Sequence, residues 1–73
     1  MTLERNSDDY YIFDKLANKI HCAQFYLRSS DLANTFVSAD LADIAYTLAD
    51  VMRYKYGADD PNVKYLIEHY HLV

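Results

Sequence analysis

Three histidines, one cysteine and a run of aspartates are the side chains in this 73-residue chain best suited to chemistry. A tetrahedral zinc site needs four soft or imidazole donors converging on one point. The candidates are His21, Cys22, His69 and His71. His21 and Cys22 are sequence neighbours, so on a helix they diverge by roughly 100°, and His69 and His71 by about 200°. Glu68 and His71 make one Glu-x-x-His step, a spacing that di-iron bundles use twice and supplement with further carboxylates. The simpler reading is that these histidines complete the charge at the end of a helix. His21 and Cys22 also make no nucleophile–base pair, because neighbours on a helix face apart; among Ile20, Phe25 and Tyr26, Cys22 reads as a small hydrophobe. The only glycine is Gly57, which leaves no phosphate-cradling loop. No catalytic residue, metal ligand set or cofactor is predicted, and the chain reads as a non-enzyme.

The aspartates allow one alternative. Asp40-Leu41-Ala42-Asp43 sets two carboxylates at i and i+3, and Asp50 stands two turns later. Residues 40–50 resemble the metal-binding helix of all-α nucleotide pyrophosphohydrolases. That resemblance implies a metal-dependent, nucleotide-hydrolase-like helical module using Asp40 and Asp43. The second motif of those enzymes, a cluster of glutamates on an earlier helix, has no counterpart, since only Asp14 stands on the first helix beyond its cap. Two carboxylates hold Mg²⁺ loosely and do not build a two-metal site.

The elements that must carry these residues are helices. One glycine and one proline in 73 residues are too few for the tight turns of a small β fold. Met1–Asn6 is short and polar and is expected to fray, with residues 1–7 flexible. Ser7 offers an N-cap, with Asp8 and Asp9 in the first turn. A first helix is predicted over Asp8–Arg28, with Ile12, Phe13, Leu16, Ile20, Ala23 and Leu27 on one stripe. Residues 31–37 read as a short helix, with a packed loop or a lead-in continuous with the next helix as the alternatives. Ser38 is the expected cap of an amphipathic helix from Ala39 to Tyr56, with Leu41, Ile44, Ala45, Leu48, Val51, Met52 and Tyr56 on its apolar face. Gly57 suits the left-handed position after a helix. Asp60-Pro61 is a start signal for a last helix, whose apolar face is Val63, Leu66, Ile67 and Tyr70. The expected fold is all-α, one domain over residues 1–73. It is a small bundle of three main helices plus one short helix, completed by dimerisation.

Charge tracks the helix ends. Asp8 and Asp9, Asp40 and Asp43, and Asp59 and Asp60 open helices. Arg28, Arg53 with Lys55, and His69 with His71 close them, as the macrodipole favours. Asp14 and Asp50 are left over mid-helix, and Asp50 can pair with Arg53. Four Asp and no Lys or Arg fall between Ser29 and Met52. Asp40, Asp43, Tyr46, Asp50 and Tyr54 therefore form the expected partner-binding face, since tyrosine is enriched at interfaces. Tyr11, Cys22, Phe25 and Tyr26 lie outside the first helix's stripe and form the expected homodimer interface. A chain this small buries little surface alone, and its single cysteine excludes an internal disulfide.

A net charge of −4 argues against direct nucleic-acid binding and against an anionic membrane surface. The last helix opens Asp59-Asp60-Pro61-Asn62 with Lys64 its only base before the histidines, unlike a DNA-reading helix. No apolar run approaches the roughly 18 residues of a membrane span, and the polar N-terminal segment has no signal-peptide core. The expected location is cytoplasmic. The function these features predict is a small acidic protein-binding regulator or inhibitor that acts by occupying a surface, as many phage and mobile-element products do. One version is a nucleic-acid mimic, with Asp31, Asp40, Asp43 and Asp50 standing in for phosphates. A subunit that works only as an oligomer is the remaining alternative.

Overall fold

The structure, a computed structural model, describes residues 2–28 and 36–73, and of residues 27, 28 and 36–38 the backbone alone. Three helices succeed one another along the chain: α1 (Asp8–Arg28), α2 (Phe36–Tyr56) and α3 (Pro61–His69). No strand occurs among the described residues. The short helix expected over 31–37 falls outside them for residues 31–35, while Phe36 and Val37 belong to α2. Ser38 is consequently inside α2 rather than its cap. Its preference for a cap is a bias of about 1 kcal/mol, which the flanking turns override.

The ends of α1 and α3 form by local hydrogen bonding. The Ser7 hydroxyl oxygen accepts from the Tyr10 N–H at 3.1 Å, the N-cap geometry that opens α1. The Asp60 carboxylate accepts from the N–H groups of Asn62 (2.9 Å) and Val63 (3.1 Å), and Pro61 takes the first helical position, where no N–H is needed. Gly57 takes φ +99° just after α2 and turns the chain toward Asp60. A Cβ there would meet no atom within 4 Å, so the backbone angle alone asks for glycine. α3 ends in a Schellman turn. The Leu72 N–H donates to the Ile67 carbonyl at 3.0 Å and the His71 N–H to that of Glu68 at 3.3 Å. His71 holds the left-handed position at φ 54°, a place usually given to glycine. This turn folds Leu72 back into the core.

The core comprises Leu3, Phe13, Ala17, Ile20, Ala45, Leu48, Ala49, Met52, Val63, Leu66, Ile67 and Leu72, flanked by Tyr10, Tyr56 and Tyr70. α1 and α2 run antiparallel, the start of α1 meeting the end of α2 where Asp9 reaches Lys55, and α3 packs against both. Each long helix therefore points its buried face between two neighbours. On α1 that direction falls on Ala17, which lies outside the expected stripe, while Leu16 and Ile12 of that stripe are 44% and 48% exposed. On α2 it falls on Ala45, Ala49 and Met52, while Ile44 (51%) and Val51 (47%) lie in solvent. Small residues at the junction let three helix axes approach closely. No helix among the described residues is long and apolar enough to cross a membrane.

The N-terminal segment, expected only to fray, contributes a core residue. Leu3 is fully buried. Its N–H donates to the second Asp60 oxygen at 2.9 Å and its carbonyl accepts from Asn62 Nδ2 at 2.7 Å. Arg5 extends this strap, with Nε donating to Asn62 Oδ1 at 3.1 Å and the guanidinium 4.9 Å over the Tyr65 ring.

Candidate functional site

The titratable side chains divide into those that hold the bundle together and those that face outward. Asp9 belongs to the first group. It accepts from Lys55 Nζ at 2.5 Å and from the Tyr56 hydroxyl, tying the start of α1 to the end of α2. The Lys55 bond, then the Tyr56 bond, hold its carboxyl below the usual aspartate value, and the same contacts raise Lys55 and Tyr56. Asp14, one of the two unexplained mid-helix acids, accepts from the Tyr70 hydroxyl at 2.5 Å. That bond, with burial second, pushes the Tyr70 phenol up to about 12. Burial of Asp60 is the largest single influence on its carboxyl and acts upward. The three N–H donors from Leu3, Val63 and Asn62 together outweigh it and hold the group low.

The histidines gather near the C-terminal end of α3 without forming a ligand set. His21 Nδ1–H donates to the Tyr70 carbonyl at 3.1 Å, and its ring lies 5.6 Å from that of His71. His69 points elsewhere, stacked on Tyr65 at 5.2 Å and edge-on to Tyr70 at 4.6 Å. α3 ends at His69, so Glu68 and His71 are not on consecutive helical turns. Cys22 is exposed rather than buried among apolar neighbours, and its thiol lies 3.8 Å from Asn18 Oδ1. Among the described residues no three His, Cys, Asp or Glu side chains converge as metal ligands. Asp40 and Asp43 are both exposed on α2, and Asp31 lies outside the described residues.

The expected partner-binding residues are all exposed, but they do not share one concavity. Tyr54 is 95% exposed and lines a shallow hollow of about 600 Å³ with Thr47, Asp50, Val51 and Lys55. Tyr46 looks to the other flank of α2, into a cleft of about 390 Å³ that includes Gln24, His71 and Leu72. Asp43 and Asp50 stand between them, and Asp50 meets Arg53 at 3.5 Å, as their spacing predicts. The expected dimer residues Tyr11, Cys22, Phe25 and Tyr26 are likewise exposed. They are spread over about four turns of α1 and form no single concavity.

The contiguous apolar surface lies elsewhere. Along the side of the α1–α2 pair opposite α3 runs a groove of about 380 Å³, lined by Phe13, Leu16, Ile20, Ile44, Thr47, Leu48 and Val51. A second apolar hollow, formed by Tyr11, Ile12, Lys15, Leu16 and Lys19, adjoins it on α1. Leu16, Ile44 and Val51 carry this surface, and helical periodicity alone assigns all three to the core. Their exposure arises because the apolar band of each helix is wider than the two neighbours cover. The signal that could have found the groove is the number of helices available to cover those bands. Comparison with family models, with curated proteins and with solved structures finds no match to this chain.

Proposed function

We propose that this chain is a small protein-binding regulator or inhibitor that acts by occupying a surface, and that its working surface is the uncovered face of the α1–α2 pair. One observation carries the reading. Leu16, Ile44 and Val51 stand roughly half exposed along one groove, and Ile12, equally exposed, lines the hollow that adjoins it. Singly exposed apolar residues are ordinary, whereas a contiguous patch rimmed by polar groups marks an interaction site. On α2, Asp50 and Tyr54 line a hollow that shares Thr47 and Val51 with this groove, so part of the acidic tyrosine face adjoins it. Tyr46 belongs to the opposite flank of α2.

The test is affinity capture from the cells the protein comes from, using the wild-type chain, an Ile44→Asp/Val51→Asp variant and a Phe25→Ala/Tyr26→Ala control. A protein retained by the wild type and the control but lost with the groove variant is the expected result. Equal recovery by all three removes the groove from consideration.

A further inference from the structure

We propose that the occupant of the α1–α2 groove in the purified protein is a second copy of the same groove, so that two chains form an antiparallel four-helix bundle about a two-fold axis running along the helices. This rests on the reading that the groove binds protein, and adds which protein and in which orientation.

Three observations support it. The first is area. α1 and α2 each span 21 residues, about 31 Å at 1.5 Å per residue, and two helices side by side present a face about 20 Å wide. That footprint of about 600 Å² before surface relief approaches the roughly 800 Å² per partner of an ordinary stable interface.

The second is charge. A two-fold interface must be complementary to itself. Lys15 and Lys19 on α1 line the hollow that adjoins the groove, and the exposed face of α2 beyond Thr47 and Val51 carries Asp40, Asp43 and Asp50, with Asp50 beside Val51 and the neighbouring Lys55 already paired with Asp9. Rotation about an axis along the helices lays α1 of one copy over α2 of the other, so the lysines meet the aspartates twice. Rotation about an axis across the helices would instead set lysines over lysines and aspartates over aspartates.

The third is register. Asp9 pairs with Lys55, and counting along the two antiparallel helices from that pair brings Lys15 level with Ala49 and Lys19 level with Ala45. The two-fold axis along the helices keeps those levels. Lys15 then lies one residue from the height of the other copy's Asp50, and Lys19 two residues from that of its Asp43. Those offsets are about 1.5 and 3 Å, within reach of a lysine side chain. The apolar centres, Leu16 with Ile44 and Val51, fall against each other.

The experiment is sedimentation equilibrium of the full chain over a concentration series. It compares wild type, Lys15→Glu/Lys19→Glu, Asp43→Lys/Asp50→Lys, and an equimolar mixture of the two variants, with helix content checked by circular dichroism. These positions are exposed, so both variants keep the wild-type helix content. The expected result is a wild-type dimer, each variant alone weakened about tenfold or more, and dimer strength recovered in the mixture, because each variant supplies the charge the other lacks. A wild type that stays monomeric up to high micromolar concentration overturns the inference. So do charge variants that dimerise as tightly as the wild type, and a mixture that shows no recovery. If the wild type is monomeric while the Ile44→Asp/Val51→Asp variant still loses a captured protein, self-association falls and the binding face stands.

Discussion

The two sides of the α1–α2 pair are both apolar and are treated differently by the fold. On one side Leu3, Val63, Leu66, Ile67 and Leu72 close over Ala17, Ala49 and Met52, and almost nothing apolar remains in solvent. On the other, Leu16, Ile44 and Val51 line an open groove, with Ile12 in the hollow that adjoins it. The covered side is also held by polar contacts of long sequence separation: Leu3 to Asp60, Asn62 to Leu3, and Tyr70 to Asp14. Among the described residues one short helix, α3, is left to cover the pair, and it covers one flank. The uncovered flank is then the place where a partner gains most from the hydrophobic effect.

The comparison breaks most easily by truncation. Met52→Ala or Leu66→Ala, each removing a fully buried side chain, is expected to cost about 2–5 kcal/mol in denaturant unfolding. Ile44→Ala or Val51→Ala, measured at concentrations where the chain is monomeric, is expected to cost under about 1 kcal/mol. Equal costs on the two sides would mean that the groove is not open.

Next in size is the strap. Asp60→Ala removes both the α3 cap and the acceptor of the Leu3 N–H, for an expected loss of about 2 kcal/mol. Asp60→Ser keeps a capping oxygen and lacks the second acceptor. It should retain much of that stability while the Leu3 amide loses its protection from hydrogen exchange. If Leu3 stays protected in Asp60→Ser, the carboxylate is not what holds the strap.

The same contacts set a pH dependence. Asp9 and Asp60 have carboxyls lowered in the folded chain, so their contribution is fully present above the ordinary aspartate value and is lost as pH falls through the lowered ones. Tyr70 is raised, so its contribution is present below the ordinary phenol value near 10 and is lost as pH rises toward about 12. Thermal midpoints should therefore fall on both flanks. Tyr70→Phe should reduce the fall on the alkaline flank, the rest of which the raised Tyr56 and Lys55 carry, and leave the acid flank in place.

The smallest effects sit at the turns. Gly57→Ala forces a side chain onto φ +99° and is expected to cost about 1 kcal/mol. His71→Gly relieves a left-handed histidine and is expected to raise stability by up to about 1 kcal/mol, read as a shift in the unfolding midpoint.

What the sequence made legible was local. Ser7, Gly57 and Asp60-Pro61 act on neighbouring backbone groups, so they announce the start of α1, the end of α2 and the start of α3 directly. The rotation of α1 and α2 was not legible, because periodicity reports where a helix is most apolar and not how many neighbours cover it. Ala17, Ala45 and Ala49 add little to an apolar pattern, yet they occupy the junction. Leu3 and Leu72 lie outside any periodic segment and reach the core through a contact spanning 57 residues and through a turn without glycine, respectively. For the candidate site, the acidic residues of α2 and their exposure were readable from spacing. That Asp50 adjoins an apolar groove depends on that unreadable rotation.

The most direct test of the central claim is a dilution series monitored by NMR of methyl and aromatic-ring resonances. On passing from high to low micromolar concentration, a self-associating groove predicts shift changes concentrated at the methyls of Ile12, Leu16, Ile44 and Val51, with Val63 and Leu66 unmoved. Changes centred instead on the resonances of Tyr11, Phe25 and Tyr26, or no concentration dependence at any site, would contradict it.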